Sequence, residues 1–107
     1  VSDQRGSPTW SANLARFINF IIGTGKYGLY HVTDETRGGI SWFEFAREIV
    51  NLAGLRARVV PINSNEFPRP ARRPKNSVLD LSWTRITFNY HFPNWRDSLR
   101  QYLATKL

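Results

Sequence analysis

Three prolines, Pro68, Pro70 and Pro74, fall within the thirteen residues from Asn63 to Lys75. Each fixes its backbone φ and removes a hydrogen-bond donor, so neither a helix interior nor a central strand can run through this stretch. The segment is therefore expected to be a loop, and one that loses little entropy when held in a single shape. Arg69, Arg72, Arg73 and Lys75 charge the same residues. Arginine forks on a stiff loop suit planar, bidentate recognition of phosphate. A solvent-facing connector accounts for the same composition equally well.

Around this loop the chain reads as mixed α/β, with helices in the majority. Leu14, Phe17, Ile18, Ile21 and Ile22 recur at helical spacing and predict a helix over 10–22, with Thr9 or Ser11 able to cap it. Ser41-Trp42-Phe43-Glu44 has the S-x-x-E arrangement of a capping box, and Gly54 stands where the helix it opens would end. Asp80 or Ser82 is expected to open a short helix through Ile86. Pro93-Asn94-Trp95 opens a last helix whose inner face is Trp95, Leu99, Tyr102 and Leu103. Leu29–Val32 and Arg58–Ile62 read as short strands separated by a helix. Two such strands make a poor sheet alone and would sit better against strands supplied from elsewhere.

The 107 residues suffice for one domain with a modest core, and no interdomain linker or repeat is evident. No run approaches the roughly 20 apolar residues of a membrane helix, and Val1–Thr9 lacks the apolar core of a secretion signal. A chain that begins with valine and has no methionine is expected to be a domain, a fragment or a processed product. The absence of cysteine excludes disulfides, thiolate metal sites and cysteine nucleophiles. The net charge of +7 favours phosphorylated partners, and 12 of the 15 basic residues are arginine.

Catalytic and metal motifs are missing. Gly23-x-Gly25-x-x-Gly28 has the glycine spacing of a dinucleotide fingerprint, but it follows a helical pattern and precedes an extended one, the reverse of what the fingerprint needs. His31 and His91 have no metal-ligand spacing, so no metal site is expected. Glu44 and Glu48 lie one turn apart, which capping and solvation explain. Asp3, Gln4 and Thr9 are able to make directional polar contacts, with turn and cap chemistry as the alternative. Trp10, Trp42, Trp83 and Trp95 could stack on bases or rings, although Trp95 fits a core position better. No RNP-like strand, G-x-x-G junction or zinc finger appears, which argues against a nucleic-acid partner.

Several blocks then occur in order: Asp3-Gln4-x-Gly6-Ser7-Pro8-Thr9, Tyr30-His31-Val32-Thr33, Ser41-Trp42-x-Glu44-Phe45-Ala46, and Ala71-Arg72-Arg73-Pro74-Lys75-Asn76-Ser77-Val78-Leu79-Asp80, followed by Pro93-Asn94-Trp95-Arg96-Asp97-x-Leu99. Together they resemble the C-terminal, substrate-binding part of the dTDP-4-dehydrorhamnose reductases, which are extended short-chain dehydrogenase/reductases. The resemblance runs from Asp3 to about Leu103, and the Ala71–Asp80 block is its most specific part. The regulatory subunit of methionine adenosyltransferase shares the architecture, but the double arginine and the Asn-Ser pair stand closer to the bacterial enzymes.

The resemblance implies one substrate-binding domain over 1–107 that lacks the N-terminal Rossmann domain, with 1–35 packing against that absent sheet. Gln4, Arg72, Arg73, Asn76 and Ser77 would bind the nucleotide sugar, while Asp3, Gly6, Pro8 and Pro74 would shape the site. Asp80 and Trp95 would be structural. No catalytic residue is implied: Tyr102 to Lys106 matches a bare Tyr-x-x-x-Lys, but it falls in the terminal helix rather than the catalytic one. The complete enzyme would reduce dTDP-4-dehydro-L-rhamnose to dTDP-L-rhamnose with NADPH or NADH, bound mainly by the absent domain, in the cytoplasm. The fragment alone would be inactive, and it would be unstable, form a homodimer or aggregate through an unpaired edge at 30–32. The alternative is a basic, non-catalytic binding or regulatory module derived from the same fold.

Overall fold

The computed structural model describes residues 1–106. Four helices carry the chain: α1 (Ser11–Ile22), α2 (Trp42–Leu52), α3 (Ser82–Phe88) and α4 (Trp95–Ala104). A two-stranded antiparallel sheet pairs β1 (Arg5–Gly6) with β2 (Ile40–Ser41), in the register Arg5 to Ser41 and Gly6 to Ile40. The class is mixed α/β, mostly helical, and no doubly wound parallel sheet occurs among the described residues.

The helix ends follow local chemistry where the partner is close in sequence. The Glu44 N–H donates to Ser41 Oγ at 3.0 Å and the Ser41 N–H to Glu44 Oε2 at 2.7 Å, which completes the capping box of α2. Past its other end Gly54 adopts φ +66°, a left-handed position that costs glycine little. Asn94 caps α4 by accepting the Arg96 N–H at 2.9 Å. Asp80 receives the Ser82 N–H at 2.9 Å just before α3. At α1, neither Thr9 nor Ser11 serves as a side-chain cap. The buried carboxylate of Asp34 accepts the Trp10 N–H at 3.1 Å and the Asn13 Nδ2 at 3.0 Å, and Asn13 also donates to Ser98 Oγ at 2.7 Å. Asn13, oriented by the Asp34 carboxylate, thus ties α1 to α4.

Neither Leu29–Val32 nor Arg58–Ile62 forms a strand. A strand needs a partner ladder, and neither segment finds one among the described residues. Instead the Tyr30 ring packs against Phe88 at 4.8 Å, and the His31 carbonyl accepts the Thr84 hydroxyl at 2.7 Å. The pairing that does form uses two-residue segments too short for any period-two pattern.

The core is small. Phe17, Leu81, Trp95 and Leu99 are its buried apolar residues, and Phe45 on α2 meets Trp95 on α4 at 6.1 Å between ring centres. Each fully buried Phe or Leu contributes roughly 1.5–3 kcal/mol. Phe17, Phe20, Phe88 and Tyr90 form an edge-to-face cluster beneath α1. Tyr102 shares the α4 face of Trp95 and Leu99, where it borders an apolar hollow, but it stays 42% exposed. Ile22, Tyr27, Leu29 and Ile86 are likewise exposed, at 76, 96, 82 and 76%. No helix is long and apolar enough to cross a membrane among the described residues.

Candidate functional site

The N-terminal residues clasp the proline-stiffened loop at both ends. The Ser2 N–H donates to the Ile62 carbonyl at 2.8 Å where the chain enters the loop. Both carboxylate oxygens of Asp3 are used on Ser64, one receiving its N–H at 3.0 Å and the other its hydroxyl at 2.6 Å. At the exit, the Arg5 N–H donates to the Lys75 carbonyl at 2.8 Å and the Ser77 N–H to the Arg5 carbonyl at 2.9 Å. Ser2, Asp3 and Arg5 therefore define the span of the loop. Gln4, between them, borders the same space as the loop.

The hydrogen bonds from Ser64 hold the Asp3 carboxyl below its ordinary value of 3.8. Asp80 is lowered in the same way by the Ser82 hydroxyl and N–H.

The loop borders a wide, open cavity of about 1320 Å³. Its wall carries Arg69, Arg72, Arg73 and Lys75, with Gln4 and Pro74 beside them and Trp42 and Ala46 contributed by α2. No carboxylate among the described residues lines it. The three ion pairs among the described residues use Arg85, Arg96 and Arg100, so none of the cavity's cations is neutralised there. Four unpaired cations facing one space raise the local potential and suit a polyanion.

Of the expected site residues, Gln4, Arg72, Arg73 and Pro74 come together on this wall. Asn76 and Ser77 lie just beyond it. Asn76 Oδ1 accepts the Val78 N–H at 3.0 Å, and Ser77 Oγ donates to the Arg5 carbonyl at 3.2 Å. Asp3 acts on Ser64, and Gly6 backs the strand where a Cβ would stand 3.0 Å from Ser77 Oγ. Pro8 borders a separate apolar hollow of about 270 Å³ with Trp10, Phe45, Trp95 and Tyr102. Phe67, Asn65 and Val1 join the wall without a sequence signal, since only the fold of the loop brings them there.

The described residues do not fit a nicotinamide dinucleotide. Gly25 and Gly28 take φ +69° and +147° in a turn after α1, and no helix N-terminus follows them to receive a pyrophosphate. No cluster of three or more potential metal-ligating side chains occurs among the described residues either.

Comparison with known proteins gives this arrangement a family. The chain is 38% identical over 107 residues to a dTDP-4-dehydrorhamnose reductase of Streptomyces griseus, covering 94% of this chain and 34% of that protein. It is 38% identical over 103 residues to a probable dTDP-4,6-dihydroxy-2-methyloxan-3-one 4-ketoreductase of Streptomyces antibioticus, covering 94% and 34%. The crystal structure of the Bacillus anthracis dTDP-4-dehydrorhamnose reductase in complex with NADP superposes with a TM-score of 0.90 at 38% identity, over 97% of this chain and 36% of that one. The chain thus spans about a third of the length of the relatives it matches. Its residues 1–107 match the model of the RmlD substrate binding domain, and the chain belongs to that family.

Proposed function

We propose that these residues form the substrate-binding part of an NADPH- or NADH-dependent reductase acting on dTDP-4-dehydro-L-rhamnose to give dTDP-L-rhamnose. One observation carries the reading: four cations outside any ion pair among the described residues line one cavity, on a loop fastened at both ends. A nucleotide sugar presents a pyrophosphate, and a planar guanidinium meets it with paired hydrogen bonds. Arg72 and Arg73 take that role, with Arg69 and Lys75 adding positive potential. Gln4 supplies a directional amide contact, Pro74 fixes the turn between the arginines and Asn76, and Asn76 and Ser77 hold the exit of the loop. Asp3 and Gly6 set the path of the N-terminal segment that carries Gln4, while Pro8 borders the separate apolar hollow.

The chemical step belongs to the complete protein, whose remaining part holds the cofactor that supplies hydride. This chain contributes orientation: binding the phosphates aligns the sugar ketone against the hydride donor. The exposed Ile22, Tyr27 and Leu29 seat residues 1–35 against that other part.

Steady-state NADPH oxidation by the full-length protein carrying these residues tests the reading. R73A should raise KM for dTDP-4-dehydrorhamnose by about tenfold or more, the loss expected for one charge-assisted hydrogen bond, with a smaller change in kcat. An unchanged KM, or no turnover of this substrate by the wild type, would overturn it.

A further inference from the structure

Trp42 is a large indole left 58% exposed on the wall of the basic cavity. It is the first residue of α2, and its backbone is held on both sides. The capping box fixes Ser41 before it, and after it the Phe43 N–H donates to the Val1 carbonyl at 3.0 Å. The indole edge rests on Phe45, with ring centres 6.4 Å apart. Ala46 lies one turn further along the same face and also lines the cavity, so only a methyl group stands where a larger side chain would fill the floor.

Two aromatic rings line this cavity, and they are not equivalent. Phe67 already has the Arg69 guanidinium over its face at 4.9 Å. No cation among the described residues stands over Trp42. An uncovered indole on a fixed backbone, lining the same cavity as guanidinium groups outside any ion pair, matches a ligand with a flat ring at one end and phosphates further along. We propose that Trp42 is the stacking platform for the nucleobase of a nucleoside diphosphate whose phosphates meet Arg72 and Arg73. The inference rests on the phosphate-binding reading of the cavity and adds to it the residue that distinguishes a nucleotide from a bare pyrophosphate.

Calorimetric titration of the full-length protein with two probes, dTDP and inorganic pyrophosphate, tests it. W42A should weaken dTDP by roughly tenfold or more, as removal of a base-stacking aromatic does, and leave pyrophosphate unchanged. W42F, which keeps a ring, should recover most of the dTDP affinity. If the wild type binds dTDP and W42A binds it equally well, the inference falls while the phosphate reading stands. If W42A weakens both probes alike, the indole shapes the site rather than stacking, and the inference again falls. A wild type that binds neither probe would overturn the phosphate reading together with this one.

Discussion

Asp3 illustrates how much one side chain sets here. It spends both carboxylate oxygens on Ser64, and so anchors the entrance of the loop that carries the cations. Because those bonds favour the ionised form, its folded-state value lies below the unfolded 3.8. The stabilisation is therefore complete above the unfolded value and disappears as pH falls through the lowered folded one. Thermal melts at neutral pH and at about pH 3 or below should show D3N already destabilised at neutral pH, with a shallower acid-dependent loss than the wild type. Equal acid sensitivity of both proteins would mean the pair does not anchor the loop. Ser41 with Glu44 was legible in sequence because the two residues are three apart. The Asp3–Ser64 pair was not, since its partners are separated by 61 residues and each reads alone as ordinary turn chemistry. The same holds for Asp34, which receives the Trp10 N–H just ahead of α1 from 24 residues away.

At the scale of elements, helices were readable and strands were not. The apolar spacing located α1 to within a residue, the capping box and Gly54 bracketed α2, and Asn94 marked the start of α4. Helical hydrogen bonds are local, so the sequence window contains most of what decides them. The extended segments at 29–32 and 58–62 had the right residue types but no partner, whereas β1 and β2 pair over two residues each with no pattern to betray them. Arg5 is the hub of that pairing, bridging β2 on one side and Asn76 on the other. The capping box then links fold to site, since it fixes the first turn of α2 and with it Trp42. S41A should cost about 1 kcal/mol of stability, measured by denaturant unfolding, and should weaken dTDP more than pyrophosphate. A variant as stable as the wild type would show that packing, not the cap, holds that turn.

For the whole molecule, the sequence pointed to an unpaired strand edge as the liability of the isolated piece. The structure relocates that liability to apolar side chains. Segment 30–32 is not a strand, and the exposed area is instead that of Ile22, Tyr27, Leu29 and Ile86. Large apolar side chains left this exposed are candidates for a contact site. The 107-residue piece expressed alone should therefore bind a hydrophobic dye and self-associate in sedimentation, and Y27E with L29E should reduce both. A monomeric piece without dye binding would remove the argument that this face seats the rest of the protein. The cavity, by contrast, needs only this chain's own residues to assemble its cations. Its composition was visible in sequence, but its assembly was not, because assembly depends on the clasp by residues 2–5.

Calorimetric titration of dTDP-L-rhamnose into the full-length protein and its R72A/R73A double variant addresses the central claim most directly. Removing both guanidinium groups deletes two charge-assisted hydrogen-bonding partners of the pyrophosphate and should weaken binding by about 100-fold or more. The unfolding midpoint should stay nearly unchanged, because both arginines are exposed. Equal affinity in the two proteins would contradict the assignment of the phosphate site to this loop.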